Sequence, residues 1–289
     1  MAKGRELKGR IKSVENTRKI TRTLEMVATS KMKRAQDRVV AARPYANSLT
    51  EVIANLYTPE LAERFPLMRQ PAATKKAAII LLTSNRGLAG AFNANLLKEA
   101  RSLLARLSEQ SVEQELHVVG KKGLGYFRYI GRAVASSRTD ITGQPTVANA
   151  AELVDGLIER FASGEIDAVY VIYSKYNSAL STPPTSQLVL PVTPPPPQRK
   201  GPQPDYILMP SAEVILSQLL PSYVRNSVYR ALVENEAGFQ SAQRTAMKNA
   251  TDNAGEMLNV LRRTFNRARQ AQITQEIAEI VGGASALQG

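Results

Sequence analysis

An α/β fold is predicted for this 289-residue chain: a long antiparallel coiled coil of N- and C-terminal helices plus a central Rossmann-like α/β domain. Three observations predict it. The last stretch, from about Ser211 to Leu287, holds good helix formers with no Gly-Pro or Asn-Gly break. The first stretch keeps a three-four apolar rhythm between Gly9 and Pro44 without a glycine. Between them, short apolar runs alternate with helical patterns.

At the start, Leu7, Ile11, Val14, Arg18, Thr21, Glu25, Ala28, Met32, Ala35, Val39 and Ala42 fall on one helical face. Arg18 and Glu25 interrupt that seam, and Ile20, Leu24 and Val27 supply a neighbouring stripe. The helix is expected over residues 1–58, with an irregularity at Arg43 and Pro44. Residues 59–208 form the α/β domain, entered through a connector holding Pro59, Pro66 and Pro71.

Strands are expected at Ala77–Thr83, Glu115–Gly120, Ala133–Ser137 and Asp167–Ser174, with Ser186–Val192 returning antiparallel past Pro183 and Pro184. Helices intervene around Leu96–Leu107, Leu124–Ile130 and Val147–Phe161. Residues 191–204 hold seven prolines, four of them consecutive, and read as a stiff extended loop. The closing helix, residues 209–289, carries Ala242, Ala246, Ala250, Ala254, Met257, Leu261, Phe265 and Ala268 on one stripe. Ile273, Ile277, Ile280, Ala284 and Leu287 form a second run, and Pro221 predicts a kink or a frayed first segment. At 1.5 Å per residue, roughly 75 residues would reach about 110 Å, so much of this helix is expected to project and to need a partner.

Composition narrows the function. Cysteine is absent, which removes disulfides, thiolate metal sites and thiol nucleophiles. Aromatic content is 6% with no tryptophan, which suits helix pairing through alanine and aliphatic side chains. No apolar run reaches membrane-span length and the basic N-terminus has no signal-peptide core, so an intracellular protein, soluble or peripheral to a membrane, is expected. Residues 1–50 carry 13 Lys and Arg against 4 Asp and Glu, whereas residues 211–289 carry 8 against 7. The basic first helix, with Lys31, Lys33, Arg34 and Arg38, seeks an acidic surface. A nucleic-acid-binding coiled coil is therefore an alternative, although aromatic interleaving and a base-reading motif are missing.

Catalytic parts are lacking. SNRGLAGAFN (residues 84–93) follows a strand and opens a helix, yet it has neither the Gly-Lys-Ser/Thr of a phosphate loop nor the Gly-x-Gly of a dinucleotide turn. His117 is the only histidine, lies inside a strand pattern and has no second ligand for a metal. Glu234 and Glu236 stand two residues apart on a helix, a spacing that turns them to different faces. No enzyme site, metal site or cofactor site is assembled.

Three stretches carry a resemblance: LKGRIKSVENTRKITRTLEMVATSKMKRAQ near the start, TSNRGLAGAFN in the middle, and AMKNATDNAGEML with ARQAQITQEIAEIVGGASA near the end. The last holds Ile273, Thr274, Glu276, Glu279, Gly283 and Ala284 in a signature order. Together they resemble the gamma subunits of bacterial F-type ATP synthases over nearly the whole chain. Pro221 and the proline-rich segment depart from that pattern, and the cysteine-bearing insert of chloroplast members is absent.

The resemblance implies a non-catalytic rotor shaft inside a ring of three alpha and three beta subunits, carried with an epsilon subunit on a membrane c-ring. It couples proton- or sodium-driven rotation to ATP synthesis or hydrolysis, without a cofactor of its own, at the cytoplasmic face of the bacterial plasma membrane. It implies ring contacts at Arg269, Gln270, Ile273, Thr274, Glu276, Ile277, Glu279 and Ile280, polar catch positions interleaved with an apolar bearing. It further implies that Lys31, Lys33 and Arg34 face acidic lever loops of the catalytic subunits.

Overall fold

The computed structural model describes residues 2–56, 64–141, 143–193 and 211–288. The proposed boundaries near 58 and 208, residues 194–204 of the proline-rich segment, and the side chains of Ala284 and Leu287 lie outside the described residues.

Five α-helices, a short 3-10 helix (Pro66–Met68) and five strands are found among the described residues. Helix α1 runs Ala2–Leu56 and strand β1 Lys76–Leu82. Helix α2 (Phe92–Glu109), strand β2 (Glu113–Val119), helix α3 (Lys121–Tyr129) and strand β3 (Ser136–Arg138) follow. Helix α4 (Val147–Ala162), strands β4 (Ala168–Ser174) and β5 (Pro184–Leu190), and helix α5 (Ala212–Gln288) complete it. The sheet order is β3-β2-β1-β4-β5, parallel except for β5, which returns antiparallel to β4.

Alternation along β1 sends its side chains to two cores. Ala77, Ile79 and Leu81 meet α2 and α3 through Leu96, Leu103 and Phe127. Ala78, Ile80 and Leu82 meet α4 through Val154, Leu157 and Phe161, together with Leu49 and Ile53 of α1 and Leu216, Leu220 and Val224 of α5. Buried on both faces, β1 reads as the continuous apolar run that its sequence shows. Helix α4 starts at a reciprocal cap: Thr146 Oγ1 accepts from Asn149 N, and Asn149 Oδ1 accepts from Thr146 N.

Neither proline breaks its helix. Pro44 lies inside α1 and Pro221 inside α5, and both helices run on, so the segment of α5 before Pro221 is helical and not the frayed one that its sequence allowed. Each proline removes one i to i−4 bond. Buried neighbours on both sides, Val39, Ala46, Leu49 and Ile53 for α1 and Leu216, Leu220, Val224 and Val228 for α5, hold the flanking turns in place.

The chain divides into two compact units, residues 1–28 with 243–289 and residues 29–242, so each long helix belongs to both.

Candidate functional site

In the first unit, two helices pair antiparallel. Glu15 accepts from Arg262 Nη2 at 2.6 Å, and the Thr21 and Thr251 hydroxyls meet at 2.8 Å. A Cβ placed on Gly255 would meet the Arg18 guanidinium at 3.5–3.7 Å. Numbers thus rise along α1 as they fall along α5. On α1 the predicted stripe faces the partner: Thr21 and Ala28 are buried, and Leu7, Ile11, Val14 and Glu25 are half-buried. Of the neighbouring stripe, Leu24 is half-buried, and Ile20 and Val27 are exposed.

The seam of α5 differs from the predicted one. Met247, Thr251, Ala254 and Leu258 are buried, and Leu261, Phe265, Ala268 and Gln272 are half-buried. Met257, expected on the stripe, is 55% exposed. Met257 follows Ala254 by three residues where the seam steps by four, and Ala242, Ala246 and Ala250 are only half-buried beside it. Repeated four-residue steps through Ala242, Ala246, Ala250 and Ala254 drift by about 40° each. Alternating four and three keeps a 3.5-residue average and stays on the seam. The missed residues, Met247, Thr251 and Leu258, were detectable by that test.

Beyond this seam the sequence-predicted contact residues share one exposed stretch. Arg269, Gln270, Ile273, Thr274, Glu276, Ile277, Glu279 and Ile280 are all exposed, as is Val281. Among the described residues their polar members bond along the helix: Thr274 Oγ1 donates to Gln270 O, Gln272 Nε2 to Glu276 Oε1 and Gln275 Nε2 to Glu279 Oε1. Ile280 is 71% exposed, and with Ile273 and Ile277 it forms an apolar stripe that this chain leaves uncovered among the described residues.

In the second unit, the three basic candidates divide between two faces of α1. Lys33 Nζ bonds Asp37 Oδ1 at 2.8 Å, and that carboxylate raises the Lys33 pKa. Lys31 and Arg34, three residues apart, share another face with Arg38. Arg38 Nη1 donates to Gly143 O at 2.8 Å. Burial pushes the Glu236 carboxyl up from its ordinary value, opposed by the hydrogen bond from Gln240 and the charges of Lys31 and Arg38.

The carboxyl ends of β1 and β4 mark the point where strand order reverses, the place where doubly wound sheets hold ligands. Here α5 fills it. Asn235 Oδ1 accepts from Ser174 N at 3.1 Å, and Glu234 Oε2 accepts from Tyr176 N at 3.0 Å. Phe239 meets Phe92 edge-on at 5.6 Å. Gly238 admits this approach, since a Cβ there would lie 2.6 Å from Ser174 Oγ. Glu234 and Asn235 bind backbone at the strand end, a role that the sequence did not signal.

TSNRGLAGAFN forms a clasp. Thr83 Oγ1 donates to Val119 O at 2.8 Å and accepts from Gly123 N at 2.9 Å. Asn93 Oδ1 accepts from Ser84 N, while Asn85 donates to Thr139 O and accepts from Lys121 N. The segment therefore spends its polar groups joining the ends of β1, β2 and β3. His117 likewise serves the sheet. Its Nδ1 meets Ser136 Oγ at 2.7 Å and its Nε2 lies 3.1 Å from Glu115, with burial holding its pKa below the ordinary value.

The sequence model described as ATP synthase matches residues 3–287. The chain is 69% identical to the ATP synthase gamma chain of Gemmatimonas aurantiaca over the full length of both. The chain belongs to the ATP synthase gamma-chain family. It is 43% identical to the gamma chain of Frankia casuarinae, over 98% of this chain and 97% of that one. Its fold matches a chain of the Euglena gracilis mitochondrial ATP synthase, solved as OSCP/F1/c-ring in rotational state 3, with a TM-score of 0.68, 18% identity, and 99% and 95% of the two chains covered. Gamma-chain membership replaces the nucleic-acid reading of the basic helix. No helix among the described residues is long and apolar enough to cross a membrane.

Proposed function

We propose that this chain is the central shaft of an F-type ATP synthase. The full-length, 69% identity to a gamma chain carries the reading. The helix pair of residues 2–28 and 243–288 forms the shaft, and the sheet with the helix segments packed on it forms the α/β domain beside the epsilon subunit and the c-ring. Three alpha and three beta subunits surround the shaft, and the assembly sits at the cytoplasmic face of the plasma membrane, with this chain peripheral.

The exposed stripe of Ile273, Ile277 and Ile280 supports a bearing role. Dispersion and hydrophobic contact have little directionality, so they survive rotation. Arg269, Gln270, Thr274, Glu276 and Glu279 supply directional bonds that form at some shaft angles and break at others. Lys31, Lys33 and Arg34 meet acidic lever loops. Each angle thereby favours a different nucleotide affinity at each surrounding site, which is how rotation couples to ATP synthesis or hydrolysis.

The chain itself performs no chemistry. Filling of the β1/β4 crevice by Asn235, Gly238 and Phe239 supports this reading. Equilibrium dialysis of the purified chain with ATP should give no binding, and the native complex should yield three alpha and three beta subunits per copy. ATP turnover by the isolated chain, or a complex without those six subunits, contradicts the proposal.

A further inference from the structure

We infer that the groove between α2 and α3 is a docking site for an acidic, apolar-centred peptide segment of a partner protein, separate from the shaft surfaces described above. The groove holds about 690 Å³, enough for several side chains, and its floor is apolar: Leu104 and Phe127 are buried beneath it and Ile130 is exposed at its edge. Its walls are cationic. Lys98 and Arg101, one helical turn apart, stand on α2, and Arg132 stands across from them beyond α3.

These three cations form no ion pair among the described residues. Arg132 Nη2 donates only to the neutral Gln114 Oε1, at 2.6 Å. Glu99, beside Lys98 on α2, accepts from Ser186 Oγ at 2.8 Å. Residues 121–132 add Lys121, Lys122 and Arg128 and contain no carboxylate. Six cations on or beside the groove outnumber the carboxylates of α2, Glu99 and Glu109, and a positive surface raises the concentration of anionic groups near it.

Shape selects among anionic partners. An inorganic phosphate fills only a small part of about 690 Å³ and leaves the apolar floor uncovered. A bilayer meets a flat or convex face more readily than a groove whose charges stand on opposite walls. A narrow peptide with carboxylates flanking one or two apolar side chains satisfies walls and floor together, and Ser102 and Ser108 add hydroxyls at the lining.

The test uses the full-length chain and a fluorescein-labelled peptide that carries three glutamates around two leucines. Fluorescence anisotropy compares the wild type with a K98Q/R101Q/R132Q variant and with a K121Q/K122Q/R128Q variant, which removes the same charge outside the groove lining. Circular dichroism melting of both variants confirms folding, and I130S tests the apolar edge. The expected result is a loss of about ten-fold or more in affinity for the groove variant, a smaller loss for I130S, and at most about two-fold for the charge-matched control. Equal losses in the two charge variants reduce the effect to net charge and overturn the site. Binding of phosphatidylglycerol vesicles or inorganic phosphate with the same groove dependence, without peptide binding, overturns it in favour of lipid or free anion. Absence of peptide binding overturns it outright.

Discussion

The hydroxyls of Thr21 and Thr251 stand 2.8 Å apart, both buried, in a seam whose neighbouring layers are Ala28, Ala254 and Leu258. Each threonine also lies within bonding distance of its own helix, Thr21 of Arg18 O and Thr251 of Met247 O. A pair of hydroxyls that fit each other defines which turn of α1 faces which turn of α5. Replacing Thr21 alone by Val leaves Thr251 without its cross-helix partner and should cost about 1 kcal/mol. The T21V/T251V pair should recover most of that loss, since no hydroxyl is then left mismatched. Urea unfolding of the two singles and the double gives the coupling, expected at about 0.5–1.5 kcal/mol. Strict additivity would mean that the two hydroxyls do not interact.

Gly238 is required by close approach. A methyl group there would lie 2.6 Å from Ser174 Oγ and 3.0 Å from Ser174 Cβ. Gly238→Ala should therefore destabilise the second unit by about 1–3 kcal/mol despite the better helix propensity of alanine. Ser174→Ala removes the nearer atom and should restore part of the loss in the double variant. Denaturant midpoints decide it, and a stabilised Gly238→Ala would refute the contact.

How much of this was readable beforehand differs by element. The buried strands are legible because β1 and β4 are covered on both faces, so Ala77–Leu82 and Val169–Tyr173 show as unbroken runs of aliphatic and tyrosine side chains. The α1 seam was legible through its alternating three-four steps. Met257 falls off the α5 seam because the seam steps four residues from Ala254 to Leu258, whereas a step of three to Met257 and then four to Leu261 satisfies the same local spacing in the sequence. Continuity through Pro44 and Pro221 was illegible, since local preference was outweighed by packing from residues distant in the chain. The roles of Glu234 and Asn235 were hidden for the same reason: their partners, Tyr176 and Ser174, lie about sixty residues away, and no local pattern links them. Exposure of Ile273, Ile277 and Ile280 could not be separated from burial by periodicity alone, because a stripe looks the same whether its partner is in this chain or another.

Glu236 gives a pH dependence with a definite sign. Burial raises its folded-state pKa above the ordinary carboxylate value, so the native state holds its proton to higher pH than the unfolded chain does. Its contribution to stability is therefore fully present below about pH 4.5 and is lost as pH rises through the raised folded value. Glu236→Gln keeps an oxygen that can accept from Gln240 Nε2, now 2.7 Å from Glu236 Oε1, and removes the ionisation. The melting temperature of the variant minus that of the wild type should grow more positive between pH 4.5 and 7. A difference that is flat, or that falls, over that range would show that Lys31 and Arg38 compensate the buried charge fully.

The uncovered stripe near the end of α5 separates stability from coupling. Ile273→Ser, Ile277→Ser and Ile280→Ser each alter an exposed side chain, so each should change the stability of the isolated chain by less than about 0.5 kcal/mol. In the assembled complex the triple variant should lower the ATP hydrolysis rate, because the bearing loses apolar contact. Thermal melts of the chain and steady-state ATPase assays of the complex measure the two effects. A triple variant that melts normally and leaves the complex unaffected removes these residues from the contact surface.

Rotation is the most direct test of the shaft. The chain contains no cysteine, so a single Tyr129→Cys substitution, at an exposed position in α3, gives one attachment point for a bead. With the alpha and beta subunits fixed to a surface and ATP supplied, the bead should turn in one direction and pause at thirds of a revolution, matching three catalytic sites. A bead that only diffuses while ATP is hydrolysed at the normal rate would contradict the account.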